Sequence, residues 1–106
     1  MTADTFSVIY WEAASPPTED LLFRIMIGQG LNPYTWSNEP HDTYSAHKHN
    51  FNKVIYVVRG SITFGLPVVK RQVTLNTGDR LEIPAGIIHD AQVGPDGVIC
   101  LEARKE

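Results

Sequence analysis

Along the second half of the chain, short apolar runs alternate with turn residues at intervals too brief for helices. Apolar and aromatic positions concentrate at about 43–49, 53–59, 61–66, 70–75, 80–84, 87–93 and 97–103, and each run reads as a strand. Gly60, Asn76-Thr77-Gly78-Asp79, Pro84-Ala85-Gly86 and Pro95-Asp96-Gly97 punctuate them. So many short strands in succession predict a sandwich or barrel. Val54 to Val58 and Val98 to Leu101 are apolar on both parities, so both faces of those strands must be covered. A second sheet can cover one face, and an N-terminal arm or a partner subunit the other.

The first 42 residues have a different texture. Phe6 to Trp11 is rich in β-branched and aromatic residues and reads as a strand lying across the sheet as an arm. Ser15-Pro16-Pro17 followed by Thr18-Glu19-Asp20 marks a helix start, with acids at the positive end of the dipole, and Gly28 and Gly30 mark its end. Leu21, Leu22, Ile25 and Met26 form its apolar stripe; Phe23 and Ile27 blur that stripe and leave a strand over 22–27 as the alternative.

Length fits this organisation: 106 residues suffice for one domain, read as an arm over 1–42 and a mostly β barrel core over 43–106. Nine Lys plus Arg against twelve Asp plus Glu give a formal charge of -3, with the cations scattered, so nucleic acid is not an expected partner. The one cysteine, Cys100, rules out an intramolecular disulfide and suits a reducing compartment. Met1-Thr2-Ala3-Asp4-Thr5 lacks a basic segment leading into an apolar one, and no run of 18 apolar residues occurs, so the expectation is a soluble cytoplasmic protein without membrane association.

The candidate chemistry lies in three histidines. His47 and His49, at i and i+2 on one expected strand, leave the same face roughly 6 to 7 Å apart at the backbone. His89, after the Pro84-Ala85-Gly86 turn, is the third within the β region, and three neutral imidazoles hold a divalent ion while leaving positions open. Taken alone, an H-x-H pair fits unrelated surface or core histidines as well as it fits a metal site.

The surrounding spacing changes that balance. His47-x-His49-x3-Lys53-x6-Gly60 and Gly78-x5-Pro84-x-Gly86-x2-His89 resemble the paired motifs of the cupin superfamily, G-x5-H-x-H-x3-E-x6-G and G-x5-P-x-G-x2-H-x3-N, over about 41 to 103. The resemblance implies a cupin-type jelly-roll β-barrel with an internal metal pocket, a divalent ion (Fe, Ni, Mn or Zn) on His47, His49 and His89, and a homodimer. The arm at Phe6 to Trp11 and the apolar final strand would suit such a dimer. Three positions depart from the pattern: Lys53 replaces the glutamate that usually ligates, Val93 replaces the final asparagine, and no glycine stands within Glu39-Pro40-His41-Asp42-Thr43.

Lys53 matters most among these. An ammonium about 5 Å from a divalent ion at effective dielectric ~20 is repelled by about 7 kcal/mol. Either Lys53 loses its proton and acts as base, Schiff-base amine or ligand, or it turns away to an acid such as Asp90 or Glu82, or the pocket binds an anion in place of a metal. Tyr34, Trp36, His41 and Tyr56 are candidates to line the pocket, with Tyr44 nearby. Asp90, adjacent to His89 on a strand, points away from it, and Cys100 reads as a buried apolar residue.

Two functions remain open on this reading. One is a metal-dependent oxygenase acting on a small organic molecule, preferred to an isomerase because no carboxylate base is evident. The other is a non-catalytic module binding a metal or small molecule.

Overall fold

The computed structural model describes residues 6–106; the first five residues of the expected arm lie outside the described residues. In chain order the elements are β1 (Ser7–Ile9), α1 (Glu19–Gly28), β2 (Tyr34–Asn38), β3 (Thr43–His47), β4 (Asn52–Leu66), β5 (Arg71–Leu75), β6 (Arg80–Ile83) and β7 (His89–Lys105). The two long strands, β4 and β7, carry the architecture. They pair antiparallel along Asn52–Val57 against Cys100–Lys105, and again along Ile62–Gly65 against Asp90–Val93. Beside the first stretch lie β6 and β1 on one side and β2 on the other; beside the second lie β5 and β3.

Each of these long strands spans two segments that the pattern divides. The expected strands at 53–59 and 61–66 are one, because Gly60 makes a bend within the ladder and not a reversal. At φ +82 it occupies backbone space that a side chain rarely adopts, and a Cβ there would stand 2.1 Å from the Gly97 carbonyl oxygen. Likewise 87–93 and 97–103 belong to one strand, with Gly94 to Gly97 set opposite the single Ser61. The bends fold both strands over so that Ile55 and Val57 from one stretch of β4 meet Ile62 and Phe64 from the other in one core with Phe6, Val98 and Cys100.

Side-chain alternation explains the doubly apolar strands. On β4, Ile55 and Val57 point into the barrel while Val54 and Tyr56 point out; on β7, Val98 and Cys100 point in while Leu101 and Ala103 point out. The outward set is covered by α1 through Leu22 and Met26, one turn apart and fully buried. The helix, and not the alternative strand over 22–27, forms here: Thr18 caps it, its hydroxyl accepting from the Leu21 N–H at 3.1 Å, with Glu19 and Asp20 in the first turn. Leu21, Phe23 and Ile27 stay substantially exposed, so the buried stripe is narrower than the sequence suggests.

The arm at Phe6 to Trp11 forms only the short β1, on the edge of β6, and inserts Phe6 into the core. Tyr34–Asn38, within the region read as an arm, is instead a sheet strand paired along its whole length with β7. No helix among the described residues is long and apolar enough to cross a membrane.

Candidate metal centre

His47 and His89 are cross-strand partners, and a bulge makes them so. Tyr44 pairs with Ala91, and regular pairing would bring Ala46 opposite His89; one extra residue on β3 brings His47 there instead. The bulge therefore turns His47 inward beside Tyr44. His49 lies beyond the end of β3, in the connection to β4 and not on the strand expected at 43–49. The second motif holds it in place: the Gly86 N–H donates to the His49 carbonyl at 2.8 Å, and the Ala85 N–H donates to Asn52 Oδ1 at 2.9 Å.

The three rings converge, with centroids 4.4 Å (His47–His89), 4.9 Å (His47–His49) and 5.4 Å (His49–His89) apart. One ring nitrogen from each lies within 4.8 Å of the others, a spacing that can hold a metal ion. His47 Nδ1 lies 2.6 Å from the Ser45 carbonyl oxygen and His89 Nδ1 lies 3.0 Å from that of Ile87. A carbonyl can only accept, so both Nδ1 atoms carry the proton and both Nε2 lone pairs remain for a metal.

Burial holds His49 and His89 below the ordinary histidine value of 6.5, and nearby positive or ionisable groups add to it: Lys53 and then His47 for His49, His47 and then Lys53 for His89. His89 is pulled down despite its bond to the Ile87 carbonyl. Neutral imidazole is the ligating form, so this environment and the donor set suit a divalent cation.

Beside the histidines opens a cavity of about 220 Å³. Ile55, Ile62, Phe64 and Ala91 make its apolar walls, Tyr34, Trp36 and Tyr44 its aromatic ones, and His47, His89, Lys53 and Glu102 its polar end. Of the four candidates for the lining, Tyr34 and Trp36 stand there. Tyr56 and His41 do not: Tyr56 points outward beneath α1 and its hydroxyl accepts from Arg80, while His41 is exposed in the turn before β3.

Glu102 is the residue that the motif reading passes over. Its side chain is only 8% exposed, and it accepts from the Tyr34 hydroxyl and from Trp36 Nε1 at 3.0 Å while forming an ion pair with Lys53 Nζ at 3.3 Å. A sequence signal existed, a lone charge in an otherwise apolar run at the inward parity of Val98 and Cys100. Burial, then the bond to Glu102, pushes the Tyr34 hydroxyl up to about 12, so it stays a donor.

Lys53 pairs with this carboxylate and with neither acid suggested for it. Glu82 is taken by Arg80 and Lys105, and Asp90, on the outward parity from His89, lines a groove with Lys70 and Arg71. Lys53 Nζ also stands 3.0 Å from His49 Nε2. Glu102 thus offsets the repulsion that an isolated ammonium would bring to a cation site. Cys100 is fully buried, and burial raises its thiol, consistent with a core role.

No protein-family model matches the sequence, and no curated protein matches it significantly. Solved structures do match in fold. An RmlC-like cupin from Shewanella frigidimarina is 23% identical over 70% of this chain and 64% of its own, with a TM-score of 0.60. The DMSP lyase DddQ from Ruegeria pomeroyi is 18% identical over 72% of this chain, which spans only 38% of that protein, with a TM-score of 0.64. A DUF861 family protein from Thermotoga maritima matches over 94% of this chain and 99% of its own at 12% identity, with a TM-score of 0.62. Bent paired strands, a two-sided barrel and these structural matches together identify the fold as the cupin jelly roll.

Proposed function

We propose that the protein is a metal-dependent oxygenase of a small organic molecule, with His47, His49 and His89 as the metal ligands. The observation that carries this reading is the opening of the histidine cluster onto a mostly apolar cavity of about 220 Å³. An ion held by these three imidazoles would supply redox or Lewis-acid chemistry. The apolar walls bind the body of the substrate and exclude water. The Ser45 and Ile87 carbonyls fix the ring orientations of His47 and His89.

A lyase or isomerase would need a base to take a proton. Glu102 supplies a carboxylate where none was evident from the sequence, but its oxygens are already engaged by the Tyr34 hydroxyl, the Trp36 indole N–H and the Lys53 ammonium, and are not free to face a substrate proton. Tyr34 is held protonated. The residues of the cavity therefore favour chemistry centred on the ion over acid–base chemistry by side chains.

One observation favours a second reading, a metal-free binding module: Lys53 already engages the His49 ring nitrogen, so one of the three histidines has a partner without an ion. Elemental analysis of protein purified without an affinity tag separates the two, followed by oxygen-uptake assays on small thiols, phenols and keto acids after loading with iron, nickel, manganese or zinc. Metal near one per chain with substrate-dependent oxygen uptake supports the oxygenase. No metal after reconstitution overturns it in favour of the metal-free module, and metal without turnover overturns the oxygenase while leaving a metal-binding module.

A further inference from the structure

Lys53 is a largely buried ammonium with two partners, His49 Nε2 at 3.0 Å and Glu102 Oε2 at 3.3 Å. A neutral imidazole has one lone pair, and Lys53 uses it. If His49 ligates through Nε2, Lys53 must let go. If it ligates through Nδ1, Nε2 carries the proton and can no longer accept. On either nitrogen, metal ligation and the Lys53–His49 bond exclude each other.

Metal binding therefore strips one acceptor from an ammonium whose side chain is 11% exposed. Leaving a buried charged donor unmatched is costly, and Glu102 is already shared with Tyr34 and Trp36. The charge balance points the same way. A cavity end holding a divalent ion, one ammonium and one carboxylate is net positive, and Arg104, stacked 3.9 Å over the Phe51 ring at the outer side of His49, adds to it. The rest of the lining offers no anion: its other members are apolar, aromatic or histidine.

We propose that Lys53 is the substrate-positioning and specificity residue, and that the substrate is a small carboxylate with an apolar body. Tethered by Glu102, the freed N–H of Lys53 donates to a carboxylate oxygen beside the histidine cluster, while the apolar body lies between Trp36, Ile62 and Phe64. This inference rests on the three-histidine metal reading and adds to it the substrate class and the residue that selects it.

The experiment uses zinc-loaded full-length protein, because zinc is redox-inert and leaves binding free of turnover. Calorimetric titration compares two matched pairs of probes, benzoate with benzamide and butyrate with butyramide, on the wild type, Lys53→Met and Lys53→Arg, with zinc content measured on each. In at least one pair the wild type should prefer the carboxylate by about ten-fold or more. Lys53→Met should lose most of that preference at unchanged zinc content, and Lys53→Arg should retain it. If Lys53→Met is poorly folded, wild type against Lys53→Arg and the two amides still decides the anion preference. Full zinc with no preference in either pair, or a preference that survives in Lys53→Met, overturns the role of Lys53 alone. A wild type that takes up no zinc overturns the metal reading and this inference with it.

Discussion

Lys53 and Glu102 face each other diagonally across the β4–β7 ladder, Nζ 3.3 Å from Oε2, with both side chains turned into the barrel. Ile55 is the direct cross-strand partner of Glu102 and Arg104 that of Lys53, so period-two alternation places Lys53, Ile55, Glu102 and Arg104 on one face. The cation sits where the related motif carries an acid, and the last strand returns the negative charge. The pair joins the aromatic wall, through Tyr34 and Trp36, to the histidine cluster, through His49.

The two ends of this pair are unequal. Glu102→Leu leaves a phenol and an indole N–H without their acceptor and a largely buried ammonium without its counter-charge, and should cost about 3–5 kcal/mol of folding stability. Lys53→Met leaves the carboxylate with two donors and should cost less. Urea denaturation of both variants gives the comparison; equal losses, or losses below about 1 kcal/mol in each, would show that the pair is not held as described.

Much of this arrangement was legible in the sequence. The two half-motifs located the barrel and its three histidines, and the doubly apolar stretches of β4 and β7 announced a second covering, which α1 provides. What stayed hidden depends on register. The bulge between Tyr44 and His47 decides which face His47 takes, yet a bulge of ordinary residues leaves no compositional mark. Glu102 belongs to the site only because β7 pairs with both β4 and β2, a long-range relation that local pattern does not encode. Gly60 and Pro95-Asp96-Gly97 read as strand breaks because glycine marks turns and bends alike.

The bend at Gly60 can be weighed against another glycine. Gly60 and Gly86 both have φ +82, but an added Cβ meets the Gly97 carbonyl at 2.1 Å in the first case and nothing within 4 Å in the second. Gly86→Ala should cost only the backbone strain, about 1–2 kcal/mol. Gly60→Ala must also push apart two strands at their crossing and should lower the thermal midpoint well beyond Gly86→Ala; similar midpoints would mean the bend is soft.

Replacing His47 and His49 together by Ala should abolish stoichiometric metal and leave a folded barrel, since both are only half-buried and His49 lies outside the strands. Elemental analysis with circular dichroism reads both effects. Metal retained at the wild-type level would remove these residues as ligands.

Acid should weaken the metal-free fold in two steps. His49 and His89 titrate below their ordinary 6.5 in the folded state, so the unfolded chain binds protons first, and stability is full above about pH 6.5 and declines as pH falls below it. Burial would raise Glu82, but bonds from Lys105 and Arg80 hold it below its ordinary 4.5, so its contribution is lost only below about that pH. Denaturation midpoints from pH 8 to 4 should be flat, then fall in two stages, and His89→Asn should shrink the first. A flat profile through pH 5 would contradict the buried neutral histidines.

Lys53→Glu restores the acid of the related motif, but here it brings a second carboxylate against Glu102. At about 5 Å and an effective dielectric of ~20 the two repel by roughly 3 kcal/mol, and the metal-free variant should be less stable than the wild type by an amount of that order. A divalent cation relieves the repulsion and gains a fourth ligand, so the stabilisation that added zinc brings should be larger in the variant than in the wild type. Thermal unfolding with and without zinc measures both increments. Should zinc raise the two midpoints equally, position 53 would lie outside the reach of the ion, and the cavity end would have to be assigned to the histidines alone.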